Sequence, residues 1–100
     1  MSDIYFNKSI KALSKILTEI NDEEQCFRFL CELLNESELK SIAKRLEIAT
    51  LLIQDSFLSD IAIKTGASNG EIRSIKYSID YGSGEIKKIL SETGDKNGKI

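Results

Sequence analysis

Asn69, Arg73, Lys76 and Tyr77 have the side chains best suited to chemistry in this 100-residue chain, and they recur at helical spacing. On a helix those steps place them along one face. An asparagine carboxamide matches the N6/N7 edge of adenine, and an arginine fork matches the O6/N7 edge of guanine. Lys76 and Tyr77, a little further on, suit phosphate oxygens, as do Ser59, Lys64 and Ser56 upstream. The candidate set for contact with double-stranded DNA is therefore Ser59, Lys64, Ser68, Asn69, Gly70, Arg73, Lys76 and Tyr77. For Arg73 and Lys76 the plainer alternative, solvated surface charge, stays open.

Such a face needs a support that holds it outward. The stretch from about Leu58 to Tyr81 has the spacing of a helix-turn-helix. Ile61 is the inward apolar residue of the first helix, and the small Ala62 beside it lets a second helix come close. Gly66 falls where the first helix must end in a left-handed conformation. Ser68 and Glu71 have capping-box spacing at the start of the second helix, and Ile72, Ile75 and Ile79 form its inward stripe. An ordinary helical hairpin with the same caps is the alternative.

Upstream, apolar periodicity predicts a helix over Lys8–Ile20. Asn21 is expected to stop it and, with Glu24, to cap a second helix whose stripe is Phe27, Leu30, Cys31 and Leu34. Asn35 and Glu38 repeat that spacing ahead of a long third helix, roughly Glu36 to Gln54. Leu39, Ile42, Ala43, Leu46, Ala49 and Ile53 share one stripe of it, which Leu51 and Leu52 widen. An apolar surface that wide implies contact on more than one side, either a dimer interface or a larger core within the chain. The expected organisation is one helical domain over 1–93 with a flexible tail over 94–100.

Composition narrows the function. The formal net charge is −2, but it is unevenly spread. Residues 1–55 carry seven basic and ten acidic side chains, against five and four over residues 56–90. That is a weak electrostatic footprint for nucleic acid. Cys26 and Cys31, about 140° apart around a helix axis, cannot bridge each other there and read as core or half-buried thiols. With no histidine, no nucleophile–base pair and no glycine-rich phosphate loop, neither an enzyme nor a metal or cofactor site is expected. No apolar run is long enough for a membrane span, and the first residues lack the pattern of a signal peptide, so a cytoplasmic protein is expected.

The chain resembles a known family in four places: Leu33-Leu34-Asn35-Glu36-Ser37-Glu38, Ala43 to Ala49, Asp60 to Ser68, and Asp80-Tyr81-Gly82. Over roughly residues 25–92 it looks like the Trp repressor family, and is most similar to its YerC/YecD-type branch. The Thr65-Gly66-Ala67-Ser68 turn and the Tyr81-Gly82 ending carry most of the likeness. The resemblance implies an all-α fold of six helices with a helix-turn-helix reading head, intertwined as a homodimer, and a DNA-binding transcriptional regulator. It also implies a last helix over Gly84–Glu92 whose Ile86, Ile89 and Leu90 pack in the dimer core. Arg45 matches the first of two arginines that clamp tryptophan in the Trp repressor, Ser74 stands at the second, and Asn35 replaces a threonine at the ligand. A candidate effector pocket of Arg45, Asn35 and Ser74 thus lacks one clamping cation, and tryptophan is not expected to bind in that mode. A structural ion pair with a nearby glutamate is the other reading of Arg45.

Overall fold

A computed structural model describes residues 4–97, with side chains over 7–92. All regular structure among the described residues is helical: α1 (Ile4–Glu19), α2 (Glu23–Leu33), α3 (Glu36–Ile53), α4 (Leu58–Thr65), α5 (Asn69–Tyr81) and α6 (Glu85–Asn97). Where length suggested one body, the chain groups into two compact units, Met1–Leu39 and Lys40–Ile100.

The first unit holds α1, α2 and the opening of α3. Asp22, not Asn21, caps α2: its carboxylate accepts from the Gln25 N–H at 2.8 Å. A charged acceptor is favoured at the positive end of a helix. Glu24 does not reach back as the expected box required. It pairs with Arg28 one turn on, at 3.0 Å. The cap of α3 is as expected, with Asn35 Oδ1 accepting from Glu38 N–H at 2.8 Å and Glu38 Oε1 from Asn35 N–H at 2.9 Å. None of the described residues of this unit is buried, and Phe27 and Leu33 are more than half exposed.

The second unit has a core. Ile48 and Ala49 of α3, Ile61 of α4, Ala67 of the turn, and Ile72 and Ile75 of α5 are buried together, flanked by Leu51, Leu52, Ala62, Ile79, Ile86 and Leu90. Thr50 is buried with them, its hydroxyl donating to the Leu46 carbonyl. The stripe expected on α3 is only partly the buried one: Ala49 is inside, while Ile42 and Leu46 are each 55% exposed. The buried residues of α3 are Ile48, Ala49 and Thr50, in its last turns. After Ile53 the chain turns at Asp55, which takes φ 62°, and the Ser56 N–H closes the turn on the Leu51 carbonyl. Asp tolerates that left-handed conformation better than most residues.

α6 runs on through Asn97, past the Glu92 at which the apolar pattern ends and into the expected tail; residues 98–100 lie outside the described residues.

Candidate nucleic-acid interface

The turn between α4 and α5 is built from local chemistry. Gly66 takes φ 74° as the α4 C-cap, and its N–H donates to the Ala62 carbonyl at 2.8 Å. A Cβ there would meet no atom within 4 Å, so backbone conformation rather than space calls for glycine. The Thr65 hydroxyl donates to the Ile61 carbonyl and accepts from the Ala67 N–H, which draws Ala67 into the core. At Ser68 the capping box is complete: Ser68 Oγ accepts from Glu71 N–H at 3.1 Å, and Glu71 Oε1 accepts from Ser68 N–H at 2.9 Å.

Three isoleucines then fix the roll of α5 and α4. Ile61 is 0% exposed, Ile72 1% and Ile75 2%. With Ile72 and Ile75 inward, the helical period turns Asn69, Arg73, Lys76 and Tyr77 outward, and all four are exposed, as is Gly70. Ser59 and Lys64 of α4 are exposed as well, whereas Ser56 is half-buried. Ser68 is exposed but its hydroxyl oxygen is occupied by the cap.

Two features of this face have local spacing that the sequence reading passed over. Lys76 Nζ lies 2.9 Å from Asp80 Oδ2, one turn further along α5. The hydrogen bond to that carboxylate, and then its charge, hold the ammonium's pKa above the ordinary lysine value. Tyr77 packs against Tyr81 in a tilted contact, with ring centroids 4.9 Å apart and planes inclined by 41°. Both pairs are i,i+4 and could have been found from spacing alone. The third feature is not local: Lys44 Nζ of α3 reaches Glu71 Oε1 at 3.5 Å. Glu71 is held below the ordinary glutamate pKa, first by its hydrogen bond from the Ser68 backbone and then by Lys44, with Arg45 adding a smaller pull. The ion pair that reaches Glu71 at this point is made by Lys44, the neighbour of Arg45.

The candidate effector residues do not belong to one unit: Arg45 and Ser74 lie in the second and Asn35 in the first. Arg45 lines a cavity of about 310 Å³ with Leu46, Ala49, Ile75, Ile86, Ile89, Leu90 and Glu85. Ser74 does not line it, because the inward stripe of α5 turns Ile75 to that side. Asn35 belongs to the first unit, and its side-chain oxygen caps α3. Among the described residues no group of three His, Cys, Asp or Glu side chains could hold a metal ion, and no helix is long and apolar enough to cross a membrane.

Comparison with known proteins gives a consistent picture. The family model described as Trp repressor protein matches residues 8–94. "Uncharacterized protein YerC" of Bacillus subtilis (strain 168) is 33% identical over 83 residues, covering 83% of this chain and 80% of the relative. A crystal structure from Staphylococcus aureus, described as that of "a putative Trp repressor", superposes with a TM-score of 0.80 over 87% of each chain, and at 24% identity this likeness speaks for the fold alone.

Proposed function

The chain belongs to the Trp repressor family, and on that premise we propose that it is a transcriptional regulator that binds double-stranded DNA in a sequence-specific way. In this reading α5 enters the major groove from its N-terminal end. Asn69 and Arg73 meet base edges, while Ser59, Lys64, Lys76 and Tyr77 meet the backbone. The observation that carries the reading is the roll of α5: buried Ile72 and Ile75 leave Asn69, Arg73, Lys76 and Tyr77 on one exposed face at the start of a capped helix.

We further propose that the working form is a cytoplasmic homodimer acting as a repressor, in which residues 1–93 become one domain. The exposure of Ile42, Leu46 and Ile89, together with a first unit in which none of the described residues is buried, supports this, since soluble monomers seldom leave so much apolar surface in water. Tryptophan is not its effector by the two-arginine clamp, because Ser74 supplies no cation to stack on an indole.

Genomic-DNA selection with the purified protein, read by sequencing at two salt concentrations with and without tryptophan, tests the reading. The expected result is an enriched near-palindrome with half-sites about one helical turn apart, steep salt dependence and indifference to tryptophan. A second reading, a helical interaction module that keeps the fold without specific DNA binding, draws support from the engagement of Lys76 by Asp80 and the net charge of −2. No enrichment under any condition selects it.

A further inference from the structure

We propose that Lys44 is a positioning residue for α5: its ammonium, seated on the same Glu71 oxygen that closes the Ser68 cap, fixes the direction in which Asn69 and Arg73 leave the start of the helix. The proposal rests on the DNA-reading role given above and deepens it.

Four observations meet here. Glu71 Oε1 accepts from the Ser68 N–H at 2.9 Å and lies 3.5 Å from Lys44 Nζ, so one oxygen serves both the cap and the ion pair. Lys44 stands one helical turn before Ile48, which is buried to 1% exposure, so the anchored face of α3 extends to it. Ile72, next to Glu71, is buried in the same core as Ile48, so the ion pair sits at the margin of packed apolar contact. The Lys44 side chain is 34% exposed and that of Glu71 50%, so neither is fully solvated.

The physical consequence follows from the freedom of a glutamate. An exposed Glu at the third position of a helix has several rotamers, and only some return its carboxylate to the cap N–H. A cation on the same oxygen favours those rotamers, and the first turn of α5 then keeps one entry angle. Asn69 and Arg73 lie within that turn and the start of the next, where a small change of angle moves a base-edge contact out of hydrogen-bond range. Lys44 is separate from the phosphate candidates: it acts from α3, through Glu71, on residues it does not touch.

The test compares wild type with Lys44→Met, which keeps the apolar stem and removes the charge, and Lys44→Arg, which restores it. Backbone amide hydrogen exchange at Ser68 and Glu71 gives a readout independent of DNA. Lys44→Met is expected to speed exchange there by about two- to fivefold, the range of a partly exposed ion pair, with a fall of a few degrees at most in the thermal midpoint, a smaller effect on the amides of α4 and α6, and Lys44→Arg near wild type. Unchanged exchange at Ser68 and Glu71, or faster exchange spread over the whole unit, overturns the proposal. The preference for a selected duplex over a scrambled one is measured in parallel and is expected to fall by a similar factor in Lys44→Met and recover in Lys44→Arg. A selective wild type whose Lys44→Met variant keeps full preference overturns the positioning role even if exchange quickens. A wild type that prefers no duplex removes the DNA-reading role instead, and the exchange data then decide alone whether Lys44 holds the cap.

Discussion

The two units of the chain solve the problem of apolar surface differently. Lys40–Ile100 buries six apolar side chains around Ile48, Ile61, Ile72 and Ile75 and closes its turn with backbone and side-chain hydrogen bonds. Met1–Leu39 has equally amphipathic helices and well-made caps at Asp22 and Asn35, yet none of its described residues is buried. Capping and helical periodicity determine where helices start and stop. They do not by themselves stabilise a fold, because most helix stability comes from packing of the apolar face. The second unit therefore has what a reading head needs within its own chain, while the first presents surface that a second copy would cover under the proposed dimer.

Mutations can break or sharpen that contrast. The largest effect is expected at Ile61→Ala. Truncating a side chain with 0% exposure should cost about 2–5 kcal/mol in urea unfolding, a large share of the stability of a small domain. Phe27→Ala sharpens the other side. Phe27 is 64% exposed in the single chain, where truncation would cost roughly 0.5 kcal/mol or less. If a second copy covers it, the cost rises to about 1.5–3 kcal/mol and appears as lower, concentration-dependent melting. Ser68→Ala removes the acceptor for the Glu71 N–H and should cost about 1 kcal/mol by thermal unfolding, with exchange quickening first in α5.

The smallest effect is one of pH. Glu71 is held below the ordinary carboxylate range by its Ser68 backbone hydrogen bond and then by Lys44. Its contribution is fully present above the ordinary glutamate pKa and is lost as the pH falls through its own lowered value. Protection of the Ser68 amide, taken relative to its intrinsic exchange rate at each pH, should fall over that acidic interval in wild type, and Glu71→Gln should flatten the change. A wild-type profile as flat as that of the variant would show that the carboxylate charge does not hold the cap.

What could be read from the sequence follows the range of each interaction. Gly66, the Ser68–Glu71 box and the Asn35–Glu38 box were legible because each is complete within four residues. The α2 cap differs by one residue from the spacing's expectation because Asn21 and Asp22 are both able to cap, and Asp22 brings a carboxylate to the positive end of the helix. The buried face of α3 was only partly legible. Periodicity marks a broad apolar surface, but which arc of it is covered depends on where the later helices pack, so burial of Ile48 and Thr50 is not legible in α3 alone while Ile42 and Leu46 lie exposed. The polar, glycine-containing stretch from Gly94 reads as a tail, yet α6 runs on to Asn97, since a glycine within a helix is tolerated at a cost of about 1 kcal/mol. Lys44 could not be read at all, since nothing in the spacing of α3 announces a partner in α5.

Arg73 gives the most direct test of the account's central claim, that the exposed face of α5 reads bases. The duplex enriched by wild type, and the same duplex changed at single base pairs, should be titrated with wild type and with Arg73→Ala. Arg73→Ala is expected to weaken binding to the enriched duplex by about 1–3 kcal/mol and to lose the distinction of one base pair that wild type makes. If Arg73→Ala binds every duplex as wild type does, α5 does not read the major groove through this face.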